Sequence, residues 1–248
     1  MASETTVDGT VDETADGTAD RTSQAGPPDF SALDTAVLDV DGTLVDTNYH
    51  HALAWFRAFR RFDVTLPVWR LHRAIGMGGD QLVPAVAGER FEEEHGDAAR
   101  EAWAEEFEPL LAEIQPFEGV RELLTALRDA GLKVVLASSG KPNHVDAYLD
   151  RFGGRELAHA WTSSEDVEST KPEPDLIGVA MGKVEGRSGL VVGDSVWDFE
   201  AAGRAGCAGY AIRTGGFSVE ELREAGAREV FESVPELRDH LVSALARR

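Results

Sequence analysis

The chain has 248 residues, of which 42% are hydrophobic, so it is long enough to bury an α/β core and a small accessory unit. Its 45 acidic residues outnumber its 24 basic ones and give a net charge of −21, which argues against nucleic acid or an anionic membrane as a partner. One cysteine, Cys207, permits no intrachain disulfide, and no apolar stretch is long enough for a signal or a membrane span, so we expect a cytoplasmic protein.

The first 29 residues are rich in Thr, Asp, Gly and Ala and contain almost no large apolar side chain. Such a segment cannot offset the entropy lost on ordering, so we predict a disordered acidic tail over residues 1–29. Two Asp-Gly-Thr triplets in it, at residues 8–10 and 16–18, do not follow apolar runs and are interpreted as solvated turns.

A third Asp-Gly-Thr triplet follows an apolar run that begins at Thr35 and includes Asp39, two residues before Asp41. In a strand, positions i and i+2 point the same way, so the two carboxylates can face one point where the strand ends. Gly42 then lets the backbone turn sharply. One carboxylate can act as a nucleophile and the other as a general acid/base, although Asp-Gly is also a common turn signal.

Between Asp46 and about Gln115 the pattern changes to successive helices with no strand. Ala52, Trp55 and Phe59 recur at three and four residues, which is typical of an amphipathic helix. We therefore predict a helical cap over residues 46–118, an α/β core made of residues 30–45 and 119–248, and hinges near 45–48 and 115–119.

Three glycines in the segment from His72 to Asp80 allow close approach to a ligand, so this is the predicted substrate-facing loop. A plain turn between two helices explains the glycines equally well. The tentative substrate residues of the cap are His51, Arg73, Gly76 and Asp80.

Two later segments place polar residues where phosphoryl transfer needs them. The predicted strand 132–137 runs into Ser138 and Ser139, which offer hydroxyl and backbone N–H groups to a phosphoryl oxygen or simply form a turn or helix N-cap. Lys171 precedes a proline, which favours an extended backbone, and its ammonium can reach inward; a surface lysine is the alternative.

The predicted strand 189–193 runs into Asp194, and Asp198 lies four residues further on. Both carboxylates can therefore face the same side of a first helical turn. Carboxylate oxygens suit Mg²⁺, although capping of the helix explains the same two residues.

The remaining pattern alternates short apolar strands with helices, as in a parallel sheet. Strands are predicted at 158–162, 209–212 and 229–231, and helices at 119–130, 143–152, 175–184, 197–205 and 235–246. The predicted fold is α/β: a Rossmann-like parallel sheet with helices on both faces, plus an inserted all-helical cap.

The four polar motifs, in this order and each after a strand, resemble those of the haloacid dehalogenase-like superfamily over roughly residues 33 to 230. The resemblance implies that Asp39 is a nucleophile and Mg²⁺ ligand, and that Asp41 is the general acid/base and lends its carbonyl to the metal. It implies metal binding by Asp194, with Asp198 in support, and binding of the phosphoryl group by Ser138, Ser139, Gly42 and Lys171.

The position of the cap resembles the phosphoglycolate phosphatase and β-phosphoglucomutase branch. This implies a Mg²⁺-dependent phosphatase, monomer or homodimer, that acts on a small phosphorylated metabolite through an aspartyl-phosphate. Gly79 stands where the mutase has a phosphate-binding arginine, which disfavours the mutase, a phosphotransferase. A non-catalytic protein that binds a phosphorylated metabolite is a further alternative, disfavoured by the presence of both Asp39 and Asp41. The excess of acidic residues resembles proteins of extreme halophiles.

Overall fold

A computed structural model of the chain describes residues 30–167 and 169–247. The disorder predicted for residues 1–29 concerns a segment outside the described residues. None of the described helices is both long and apolar enough to cross a membrane.

Six parallel strands form one sheet in the order β3-β2-β1-β4-β5-β6, which confirms the predicted fold class. The strands are β1 Thr35–Asp39, β2 Lys133–Ala137, β3 Ala160–Trp161, β4 Gly189–Gly193, β5 Ala208–Ile212 and β6 Ala227–Phe231. Every residue of β1 and β4 is buried, as expected for central strands covered on both faces.

Helices cover both faces because alternate strand residues point in opposite directions. The helices after the first strand are α1 Asn48–Arg60, α2 Val68–His72, α3 Gly79–Ala87, α4 Glu89–Phe107, α5 Val120–Asp129, α6 Pro142–Phe152, α7 Gly154–Leu157, α8 Asp175–Gly182, α9 Val196–Arg204, α10 Val219–Glu224 and α11 Val234–Leu245. Ala36 and Leu38 belong to one hydrophobic cluster, which also takes in side chains of α5, α6 and α11, whereas Val37 belongs to another that includes side chains of α8 and α9.

Two short helices, α7 and α10, were not predicted. The sequence does carry a start signal for α10, because Ser218 and Glu221 form a capping box. The Ser218 hydroxyl accepts a hydrogen bond from the backbone N–H of Glu221, and the Glu221 carboxylate accepts one from the backbone N–H of Ser218. The helix has only six residues, too few for its apolar positions to show a period.

Four helices, α1 to α4, lie between β1 and α5 and are called the helical insertion below. Trp55, Phe59, Leu71 and Leu82 are buried in a hydrophobic cluster built from the insertion alone. The two chain segments that lead into and out of it are paired: the N–H of Asp46 donates to the Gln115 carbonyl at 3.0 Å, and Val45 and Pro116 form a β-bridge. The exact cap boundaries and hinge action stay predictions.

The register of the sheet brings the ends of three strands together. In β1, Thr35 is level with Lys133 of β2 and with Gly189 of β4, and Asp39 is level with Ala137. The chain leaves β1 for β2 on one side and later returns as β4 on the other, so the strand order reverses at β1. Open α/β sheets bind their ligands at such a point, outside the carboxyl ends of the strands.

Candidate active site

Three buried carboxylates meet at this edge of the sheet. Asp39 ends β1, Asp194 follows β4 directly, and Asp198 lies in the first turn of α9. Each offers a carboxylate oxygen, and these oxygens lie within 4.8 Å of one another. The sequence predicted this cluster from strand ends and from the four-residue spacing of the last two.

The ammonium of Lys171 lies inside the cluster and is only 4% exposed. It contacts Asp39 Oδ1 closely and lies 2.7 Å from Asp198 Oδ1. Burial by itself lowers the pKa of Lys171, but the two carboxylates outweigh it and raise the pKa above its usual value, so the lysine is charged. It is therefore a buried charge rather than the surface lysine of the alternative reading.

Two further side chains orient the carboxylates. The hydroxyl of Thr43 lies 2.9 Å from Asp39 Oδ2 and 2.8 Å from Asp194 Oδ1. Asn48, the first residue of α1, donates its amide to Asp194 Oδ2 at 2.9 Å. Neither residue was assigned a role from the sequence; Thr43 at least stands in the first motif, whereas nothing local marks Asn48.

The cluster carries more negative charge than Lys171 can balance. Burial raises the pKa of Asp39 well above its usual value; Lys171 opposes this, and the neighbouring carboxylates add to it. Burial and Asp198 raise the pKa of Asp194 to about 7, against the hydrogen bonds from Asn48 and Thr43. Hard oxygen donors in a crowded, under-neutralised group suit a divalent cation such as Mg²⁺, and Asp39 and Asp194 are the residues that would hold it.

Asp198 both caps a helix and belongs to the carboxylate cluster, the two roles that its position in the sequence allows. Its Oδ2 accepts hydrogen bonds from the N–H of Ser195 at 3.0 Å and from the Ser195 hydroxyl at 2.6 Å, so it caps α9. Its Oδ1 faces Lys171. The helix cap therefore holds the carboxylate in the orientation that the cluster needs, and the two roles do not compete.

Asp41 points away from the three carboxylates. Its Oδ1 lies 2.9 Å from Nε2 of His51 on α1, and its Oδ2 accepts from the Ser138 hydroxyl at 2.9 Å. Burial raises the pKa of Asp41, but the bonds from His51 and Ser138 outweigh burial and hold the pKa below its usual value. The carboxyl of Asp41 is thus separate from the three carboxylates that could hold a metal.

Two of the predicted phosphate-binding groups, the N–H of Gly42 and the hydroxyl of Ser138, already have hydrogen-bond partners within the protein. The N–H of Gly42 donates to the carbonyl of Val45 at 2.9 Å, so this amide is already used inside its own turn. The glycine is required for another reason: its φ is +83°, and a Cβ would lie 2.5 Å from an Asp194 oxygen. The hydroxyl of Ser138 donates to Asp41, whereas Ser139 lines the open space above the carboxylates.

A cavity of about 320 Å³ lies between the sheet edge and the helical insertion. Asp39, Asp41 and Lys171 line its floor. Its other wall contains apolar side chains of the insertion, notably Trp55, Trp103, Ile75 and Met77.

Three of the four tentative substrate residues, His51, Gly76 and Asp80, line this cavity, but Arg73 does not. The guanidinium of Arg73 pairs with Glu221 of α10 at 2.5 Å and lies 4.1 Å from the centre of the Phe217 ring. It joins the insertion to the core outside the cavity, which disfavours its assignment as a substrate residue. Arg100 of α4 does line the cavity, although nothing in the sequence distinguishes it from the other charged residues of its helix.

A model of the haloacid dehalogenase-like hydrolase family matches residues 33–206, well over half of the chain. The chain belongs to this family. The membership predicted from the four motifs is thereby confirmed, and the protein is a hydrolase of the haloacid dehalogenase-like fold.

Similar proteins extend over most of this hydrolase. The N-acetylmuramic acid 6-phosphate phosphatase of Pseudomonas aeruginosa is 26% identical over 219 residues, 86% of this chain and 96% of that protein. The phosphoglycolate phosphatase of Caulobacter vibrioides is 29% identical over 207 residues, 80% of this chain and 86% of its own. The crystal structure of a hydrolase from Pseudomonas syringae has a TM-score of 0.79 and 32% identity, and covers 85% of this chain and 98% of that one.

Proposed function

We propose that this hydrolase is a Mg²⁺-dependent phosphatase of a small phosphorylated metabolite and that it works through a phosphoaspartyl intermediate on Asp39. The observation that carries the proposal is the placement of two carboxyl groups at one cavity floor with opposite surroundings. Asp39 lies against a cation, Lys171, and belongs to the carboxylate cluster suited to a metal, whereas Asp41 faces a histidine and a serine.

The chemistry follows from these surroundings. A carboxylate oxygen of Asp39 attacks phosphorus and forms an acyl-phosphate as the bond from phosphorus to the leaving oxygen breaks, and the protonated form of Asp41 gives its proton to the departing alkoxide. Asp41 then takes a proton from water, which attacks the phosphoaspartate and releases inorganic phosphate and free Asp39. Lys171 offsets charge on the phosphoryl oxygens throughout. A divalent cation, when bound, supplies further positive charge for those oxygens.

The cavity wall indicates a leaving group with a largely uncharged body. Trp55 and Trp103 present stacked rings 5.5 Å apart, and the guanidinium of Arg100 is already paired with Glu92 at 2.9 Å and Asp97 at 2.8 Å. A sugar-like body suits such a wall better than a second phosphate. The similar Pseudomonas aeruginosa protein acts, by its name, on N-acetylmuramic acid 6-phosphate.

The same wall disfavours the mutase alternative. A Cβ at Gly79 would lie 3.1 Å from the Arg100 side chain and 3.3 Å from the Trp55 ring, so the position of the mutase arginine is already occupied here. We propose that the helical insertion acts as the cap that covers the substrate and excludes water.

Asp39→Asn tests the proposal, because the amide is nearly isosteric but cannot attack phosphorus. We expect Mg²⁺-dependent turnover of p-nitrophenyl phosphate to fall by at least about 10³-fold, since loss of a covalent nucleophile costs several powers of ten. Asp129→Asn, on the exposed end of α5, removes the same charge and should leave turnover unchanged. Residual activity above about a tenth of the parent would contradict the nucleophile assignment. A parent protein that binds phosphate but turns over no phosphoester would favour the binding-protein alternative.

A further inference from the structure

The glycine-rich loop of the helical insertion touches the core at Thr170, the residue directly before Lys171. The Thr170 hydroxyl donates to Asp80 Oδ1 at 2.5 Å and accepts the N–H of Gly78 at 3.0 Å. The N–H of Thr170 donates to Asp80 Oδ2 at 3.2 Å. The hydroxyl thus uses both its donor and its acceptor, and three hydrogen bonds join the loop to this one residue.

The approach is so close that it depends on a residue without a side chain. A Cβ on Gly78 would lie 2.4 Å from the Thr170 hydroxyl oxygen and 2.5 Å from its methyl carbon. Thr170 is only 8% exposed. The insertion loop and the segment that carries Lys171 are therefore fitted to each other; the hydrogen bond from Gly78 is buried, and the two to Asp80 are partly buried.

This contact anchors the backbone directly before Lys171, and other contacts anchor the segment that follows it. On the far side, Arg204 of α9 donates to the carbonyl of Pro172 at 3.0 Å and pairs with Glu173 at 2.6 Å, both at the exposed surface. On the near side the contact with Asp80 fixes the backbone of Thr170. A lysine stem has four rotatable carbons, so a displaced backbone would let the ammonium leave the carboxylates.

We infer that Asp80 is a positioning residue, which acts through Thr170 to hold Lys171 against Asp39 when the insertion loop is seated on the core. The inference rests on the proposed role of Lys171 at the phosphoryl group. It replaces the assignment of Asp80 as a substrate residue: Asp80 lines the cavity, but both its oxygens already accept hydrogen bonds from the protein, including one from the Gln81 amide at 3.1 Å.

The two roles predict different kinetics. A residue that reads the leaving group affects one substrate more than another, whereas a residue that positions Lys171 affects every substrate alike. We expect Asp80→Ala and Thr170→Val each to lower kcat about 10-fold, as for the loss of a hydrogen bond to a charged group, on both p-nitrophenyl phosphate and a hexose 6-phosphate. Thr170→Ser keeps the hydroxyl and should restore most of kcat.

A double-mutant cycle with Lys171→Arg separates action through the lysine from a general weakening of the insertion. In the Lys171→Arg background, Asp80→Ala should cost less than about 3-fold, because the group that it positions has already been displaced. The matched control is Glu221→Gln, which breaks another contact between insertion and core, the pair with Arg73, and should be additive with Lys171→Arg. Additive losses for Asp80→Ala, or losses on one substrate only, would overturn the inference.

A binding measurement keeps this test independent of turnover. Calorimetry with inorganic phosphate and Mg²⁺ should show an affinity about 10-fold weaker in Asp80→Ala than in the parent, and amide exchange at Thr170 should be faster because its acceptor is gone. If the parent turns over no phosphoester and Asp80→Ala still weakens phosphate binding, the proposed function fails and the positioning role stands. Unchanged phosphate affinity in Asp80→Ala would refute the positioning role.

Discussion

Replacing His51 with phenylalanine isolates one hydrogen bond to Asp41. The imidazole of His51 stacks on the ring of Phe107 with centroids 4.2 Å apart and an interplanar angle of 7°, and its Nε2 lies 2.9 Å from Asp41 Oδ1. Phenylalanine keeps a flat ring in this largely buried place but cannot hydrogen-bond. The substitution therefore changes the surroundings of Asp41 with little change in packing.

The expected loss follows from the nature of that bond. A hydrogen bond to a charged group contributes about 1.5–3 kcal/mol, and about 1.4 kcal/mol corresponds to a factor of ten, so turnover should fall about 10- to 100-fold. The pKa of Asp41 should also rise. Burial pushes it upward, and His51 is the larger of the two hydrogen-bonding partners that hold it below its usual value.

The assay is kcat and kcat/KM for p-nitrophenyl phosphate with saturating Mg²⁺ from pH 3 to 9, a range that extends to the low-pH side where Asp41 titrates. The limb of the pH profile that reports Asp41 should move to higher pH in His51→Phe. His95→Phe makes the same exchange on α4, where the ring packs near Phe62 and Phe91, and should leave the profile in place. A loss below about 2-fold with an unmoved profile, or a limb displaced to lower pH, would refute a role of His51 at Asp41.

Three further predictions concern the insertion, the carboxylates and the surface. Arg73→Ala should reduce kcat/KM equally for p-nitrophenyl phosphate and for phosphoglycolate, because Arg73 pairs with Glu221 outside the cavity; selective loss on phosphoglycolate would return it to the substrate site. In EDTA, thermal unfolding should show stability falling as pH rises from about 4 to 7. The pKa of Asp194 is about 7 in the folded protein and 3.8 in an unperturbed carboxyl such as that of the unfolded chain, so the folded state binds more protons in this window; the slope is at most about 1.4 kcal/mol per pH unit for this group. Asp194→Asn should flatten that slope, and an equally steep one would contradict the shift. The melting temperature should rise between 0.1 and 2 M KCl, because a Debye length of about 3 Å at 1 M screens the net charge of −21; a flat response would show that self-repulsion is not limiting.

The sheet and the carboxylate cluster were predictable from local pattern. An apolar run that ends in an acid is a local signal, and parallel strands bring their carboxyl ends to one edge, so Asp39 and Asp194 had to approach each other once the strands were recognised. The four-residue spacing of Asp194 and Asp198 added the third carboxylate. These inferences needed no knowledge of distant contacts.

The sequence was a poor guide to a residue's role where its hydrogen-bonding or ionic partner is distant in sequence, or where its polar group is used within its own turn. Arg73 and Glu221 are 148 positions apart, and nothing near Arg73 shows that its charge is already paired. Thr170 reaches across 90 positions to Asp80. Gly42 is the opposite case, because its partner is close in sequence. The N–H that was assigned to phosphate binding donates to the carbonyl of Val45 in the same turn, which the residue type alone does not reveal.

The helical insertion bears on both halves of the proposed chemistry through different residues. His51 of α1 contacts Asp41, the acid/base, while Asp80 contacts Thr170 and thereby supports Lys171, which balances charge at the phosphoryl group. The floor of the cavity belongs to the sheet edge, yet two of its working groups take their orientation from the insertion. We therefore expect that seating the insertion over a substrate also completes the catalytic site, and that a site still open to water lacks the aligned proton donor and the placed cation that hydrolysis requires.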